Sequence, residues 1–138
     1  MRFARRAYLS LLLTCAVFGT ACAQPSFTFL HITDTHVTPA GNDGPVRELV
    51  REMSRGADRP AFVINTGDVT ELGLESEFAR YLDAVKDSPV PFYSVPGNHD
   101  VRWAPLGKRA FEKALGKPYR SFDHGGCHFV LLDTSVTL

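Results

Sequence analysis

The sequence predicts an α/β fold built on a largely parallel sheet. Two observations carry this. Strand-like apolar runs alternate with segments of helical period, the pattern of successive βαβ units. Polar clusters follow directly on the first three runs, at intervals of roughly thirty residues, about one strand–helix unit each.

In order, residues 27–33 (FTFLHIT) read as the first strand. A Gly/Pro/Asn-rich loop over 39–44 follows, and Pro45 suits the first turn of a helix. Val46, Leu49, Val50 and Met53 recur at helical spacing and give that helix a buried face. Residues 61–66 (AFVINT) are the second strand. A helix over 75–87 carries Phe78, Leu82 and Val85 on one face, with Glu75 and Glu77 at its positive end and Lys86 at its negative end. Residues 91–95 (PFYSV) form the third strand. A third helix follows Pro105, carries Leu106, Ala110, Phe111, Ala114 and Leu115, and stops at Gly116. Residues 119–123 and 127–133 read as a hairpin turned at Gly125-Gly126. The sequence stops at Leu138, soon after a strand, which leads us to expect a domain over 24–138 that is incomplete at its C-terminus.

Residues 1–23 read as a processing signal. Arg2, Arg5 and Arg6 lead into the apolar run 7–21, shorter than the ~18 residues of a membrane span, and Ala21-Cys22-Ala23 supplies a small-x-small cleavage pattern. A membrane anchor and lipidation at Cys22 are the alternatives, and Arg5-Arg6 also fits a twin-arginine signal. We expect an exported protein, periplasmic or secreted, that begins at Gln24. Mass spectrometry of the exported product checks this, and a diacylglycerol on Cys22 would replace it with a lipoprotein.

Hydrophobic residues make up 44% of the 138 and charged ones 22%, the balance of a globular chain. Formal net charge is zero, and beyond the three leader arginines the remainder is mildly acidic, which argues against a basic nucleic-acid surface. Cys15 and Cys22 lie in the leader, so Cys127 has no internal disulfide partner. We expect it to be a small buried residue of an apolar strand.

The polar clusters are Asp34-Thr35-His36, Gly67-Asp68 and Gly97-Asn98-His99-Asp100. Consecutive parallel strands bring their carboxyl ends to one sheet edge, where ligand sites of open α/β folds lie, so the clusters should converge. Asp34 and His36, two apart, can project to one side. Carboxylate with imidazole suits Fe, Mn or Zn better than Ca. Asp68 can give one oxygen to each of two cations, and Asn98 offers a neutral amide oxygen. Two dications against two carboxylates leave a net positive site, suited to an anionic phosphate and a metal-bound hydroxide. Alone, each cluster also reads as a turn; three in this order at strand ends do not.

The motifs D-x-H, G-D and G-N-H-D resemble those of the calcineurin-like metallophosphoesterases, from about Phe27 onward. The resemblance implies the N-terminal half of a two-sheet sandwich flanked by helices, with a site for two metal ions. Asp34 and His36 would bind the first metal, Asp68 would bridge, and Asn98 would bind the second. His99 would contact the scissile phosphate and help the leaving oxygen depart, during in-line attack by metal-bound hydroxide. The run from Gly67 to Gly73 lacks the Asp-Arg-Gly ending of protein Ser/Thr phosphatases, and Glu71 stands where purple acid phosphatases have a tyrosine ligand. With HITDTH and PFYSVPGNHD, the chain is most similar to class III cyclic-nucleotide phosphodiesterases and their exported relatives. The implied substrate is a small phosphoester, nucleotides included, split as a mono- or diester.

The family's further histidines, in Gly-His and Gly-His-x-His patterns, are absent from this sequence. The chain on its own is therefore expected to be inactive, and a non-catalytic relative that binds metal or phosphate is the alternative. His31, His124 and His128 read as structural or solvent-exposed. Glu71 reads as an exposed loop acid. Arg102 and Trp103 admit two readings, a packed loop anchor or a contact to the substrate.

Overall fold

The computed structural model describes residues 26–135. The leader and its cleavage site lie outside the described residues. The element order is β1 (Leu30–Ile32), α1 (Gly44–Arg55), β2 (Val63–Asn65), α2 (Glu75–Val85), β3 (Phe92–Ser94), α3 (Asn98–Arg102), α4 (Lys108–Leu115), β4 (Arg120–His124) and β5 (Cys127–Leu131). The first three strands form a parallel sheet in the order β1-β2-β3, with Leu30 opposite Val63 and Val63 opposite Phe92.

Alternation along β2 sorts the layers. Val63 joins Val50 and Met53 of α1 on one face. Phe62 and Ile64 point the other way, into a cluster with Val95, Leu131, Phe122 and Phe129. Helices α1 and α2 therefore cover one face and the β4–β5 hairpin lies against the other. Phe62 sits at the centre of the second interface, with ring centroids 5.1 Å from Phe122 and 5.0 Å from Phe129. The hairpin turns at Gly125 and Gly126, whose φ values of 54° and 79° are those a two-residue type I′ turn requires.

In α1, Pro45 occupies the first turn and Val46, Val50 and Met53 are buried at helical spacing. Asp43, just before it, spends its carboxylate on Arg47 Nε at 2.6 Å and Arg80 Nε at 2.8 Å, which ties α1 to α2. The hydrogen bond from Arg80 holds the Asp43 carboxyl below its ordinary 3.8; burial works against this and Arg47 adds to it.

Several expectations need correcting. The strands are shorter than the apolar runs at both ends; at the C-terminal ends of β1 and β2 the backbone turns left-handed at Asp34 and at Gly67-Asp68. Leu82 is 39% exposed, and the inner face of α2 is Phe78, Tyr81 and Ala84 instead. Tyr81 fills that place because its hydroxyl reaches Asn65 Nδ2 (3.3 Å) and Ser94 Oγ (3.4 Å) in the interior. Glu77 is wholly buried, and its Oε2 accepts from the backbone N–H of Leu72 and Leu74. Leu106 lies before α4 and is 52% exposed. Cys127 is exposed at the turn end of β5, not buried.

Candidate metal centre

The loops after β1 and β2 run side by side. Asp34 N–H donates to Gly67 O, His36 N–H to Asp68 O and Val37 N–H to Val69 O, each at 3.0 Å. Thr35 Oγ1 adds a bond to Val69 O at 2.8 Å, and Asn42 Nδ2 holds His36 O at 3.0 Å. This zipper sets the first two polar clusters next to each other at the carboxyl edge of the sheet.

The backbone there is strained. Asp34, His36 and Asp68 have φ of 54°, 43° and 49°, a region non-glycine residues seldom occupy. Each costs on the order of 1–3 kcal/mol, and such residues gather at functional sites. Three residues singled out as ligands are thus held in unfavourable conformations by surrounding hydrogen bonds.

The third cluster closes on the second. Gly97 packs so tightly on Asp68 that a Cβ there would lie 2.2 Å from Asp68 Oδ1, so only glycine fits. The same Oδ1 accepts from His99 N–H at 2.9 Å. Asp100 is fully buried and accepts from Val69 N–H (3.1 Å), Thr70 N–H (2.9 Å), Thr70 Oγ1 (2.7 Å) and Gly97 N–H (2.9 Å). Burial pushes its carboxyl above the ordinary 3.8, while the donors, Gly97 N–H foremost, pull the other way. The cluster forms a helical turn, α3, rather than an open loop.

Glu71 is a part-exposed loop acid, as expected, and it also lies against both imidazoles. Its Oε2 lies 2.9 Å from His36 Nδ1, off the line of an aligned hydrogen bond. Its carbonyl oxygen lies 2.8 Å from His99 Nδ1, and its Oε1 3.8 Å from that nitrogen. A carbonyl oxygen only accepts, so His99 carries its proton on Nδ1 and leaves Nε2 free. His36 Nε2 is on the other side of its ring, 3.6 Å from Asp34 Oδ1. The two rings meet edge to face at 4.6 Å.

The resulting donor set fits a transition metal. One ligand atom each from His36, Asp68 and His99 lie within 4.8 Å of one another. Among the described residues no Lys or Arg forms an ion pair with Asp34, Asp68 or Glu71, so a cation would meet carboxylates that no basic side chain neutralises. Asn98, first residue of α3, is exposed, and its side chain makes no hydrogen bond among the described residues. A cavity of about 430 Å³ opens beside Asp34 and His36, floored by Pro45, Val46 and Leu49 of α1.

The other histidines lie apart from this group. His31 Nε2 pairs with Thr66 Oγ1 at 2.9 Å, His124 packs on Phe27 at 4.6 Å, and His128 pairs with Asp123 at 2.7 Å. Sequence reading did not foresee the contacts of Glu71 with both imidazoles or of Asp100 with the loops after β2 and β3. The one available signal was their place, three residues after Asp68 and at the end of the third cluster.

The family described as calcineurin-like phosphoesterase matches residues 27–136. Two curated relatives are similar in part. A probable glycerophosphodiester phosphodiesterase, GpdQ, of Arcobacter nitrofigilis is 32% identical over 92 residues, 61% of this chain and 33% of the relative. A cAMP/cGMP dual specificity phosphodiesterase of Mycobacterium tuberculosis is 27% identical over 127 residues, 82% of this chain and 40% of the relative. The chain thus spans well under half the length of either.

Proposed function

This chain belongs to the calcineurin-like phosphoesterase family, and from that premise we propose that the protein carrying it hydrolyses small phosphodiesters at a centre of two metal ions. The observation that carries the reading is the strained Asp34, His36 and Asp68 backbone beside His99 at one sheet edge. Asp34, His36, Asp68 and Asn98 would hold the metals, Fe, Mn or Zn by their chemistry. When bound, the metals would lower the pKa of a water and neutralise charge on the phosphoryl oxygens. The chain's own residues do the rest. Asp68, fixed by His99 N–H and boxed in by Gly97, holds the centre of the site. Glu71 aims the free Nε2 of both imidazoles away from itself. In its imidazolium form, with Nδ1–H kept on the Glu71 carbonyl, His99 would give its Nε2 proton to the leaving alcohol oxygen. Both relatives are named as phosphodiesterases, which favours a diester over a monoester.

The test is hydrolysis of bis-p-nitrophenyl phosphate with Mn²⁺, by residues 24–138 beside a longer protein that adds Gly-His and Gly-His-x-His strands. The longer protein should turn over and stop with EDTA. Residues 24–138 alone should bind metal weakly and turn over poorly, because water must fill the positions of the missing nitrogen donors. Equal turnover by both would mean that the ligands present suffice. No metal-dependent turnover in the longer protein would remove the hydrolase reading and leave a binding module.

A further inference from the structure

We propose that Trp103 is a stacking platform for a planar ring on the leaving group, so that the preferred substrates are nucleotide or aryl phosphoesters. The inference rests on the phosphoesterase reading above and names the substrate class of that site. Trp103 caps α3, and its ring centroid lies 4.5 Å from that of His99, the residue read as facing the leaving oxygen. The indole is 48% open to solvent, so a ligand can reach it. The Arg102 guanidinium lies over one face of the same ring, 5.4 Å from its centre, and a ligand ring would stack on the opposite face.

The position selects the ligand. An alcohol leaving past His99 emerges next to Trp103, where a nucleobase or aryl ring can cover the open indole. A glycerol or other aliphatic alcohol offers no π-face. Stacking of a base on an aromatic side chain gains about 1–3 kcal/mol, roughly 5- to 150-fold in affinity.

Trp103 is the single tryptophan in the chain, so indole emission reports on this position alone. Residues 24–138, kept in excess Zn²⁺ throughout, are titrated with AMP, ribose 5-phosphate and inorganic phosphate, following indole fluorescence and, in parallel, heat of binding. AMP should quench the indole and bind at least about 10-fold tighter than ribose 5-phosphate. In Trp103→Leu the heat of binding should show that preference gone, and Trp103→Phe should restore part of it. Equal affinity for AMP and ribose 5-phosphate, or a preference that survives Trp103→Leu, overturns the proposal while leaving the phosphoesterase reading standing. Failure of all three probes to bind overturns this inference, while the phosphoesterase reading is decided separately by metal-dependent turnover of the longer protein.

Discussion

Truncating Asp100 to alanine is expected to cost about 4 kcal/mol of folding stability, a large share of the 5–15 kcal/mol typical of a domain. The buried carboxylate takes hydrogen bonds from three backbone N–H groups and the Thr70 hydroxyl, which come from the loops after both β2 and β3. A buried donor stripped of its acceptor costs about 1–3 kcal/mol, and water entering the space recovers part of the sum. Asp100→Asn should be milder, at about 2 kcal/mol. Its amide oxygen still serves one pair of donors, the Thr70 hydroxyl can turn to accept from the amide NH₂, and one N–H remains unmatched. The upward push that burial gives this carboxyl points the same way, since an uncharged group is tolerated better there than an empty space. Urea unfolding of the three proteins decides the order. A loss below about 1 kcal/mol for Asp100→Ala would mean that the two loops hold together without it.

This clamp also marks where sequence reading stops. The three clusters were legible because strand-end position and residue type are local properties: FLHIT before Asp34, FVINT before Asp68 and FYSVP before Asn98 need no knowledge of packing. The α1 face was legible from period alone, and the hairpin from Gly125-Gly126. What each carboxylate does was not. Asp100 and Glu71 differ from ordinary loop acids only in which N–H groups and rings face them. That depends on the left-handed turns at Asp34, His36 and Asp68, a conformation Asp and His tolerate better than most side chains but that their identity alone does not impose. The misplaced inner face of α2 has a related cause. Leu82 is the more hydrophobic side chain, but the interior holds Asn65 and Ser94, whose polar atoms call for the hydroxyl of Tyr81. Cys127 failed on topology, because its apolar surroundings in sequence end at the turn in space.

Replacing Asp68 with asparagine is expected to lower metal affinity by more than about 100-fold, beyond the 10–100-fold loss typical of removing a partner behind the ligands. The substitution keeps the shape and the acceptor for His99 N–H, so the loop should stay in place. What it removes is the charge and the second strong donor oxygen, and no Lys or Arg pairing is broken to offset that. His99→Ala is the informative partner. If His99 serves the leaving group, its removal should spare metal content and slow turnover by 10²- to 10⁴-fold, the usual range for a general acid. The geometry makes this a demanding test, because His99 offers a nitrogen within 4.8 Å of the His36 and Asp68 donors, whereas Asn98 is not part of that group. Calorimetric titration with Mn²⁺ and metal analysis of both variants, beside Asn98→Ala, separate the alternatives. Metal loss in Asp68→Asn and Asn98→Ala but not in His99→Ala supports the assignment of ligands to Asp68 and Asn98. Equal metal loss in Asp68→Asn and His99→Ala, with Asn98→Ala unaffected, would make His99 a ligand and leave the leaving-group proton to another residue.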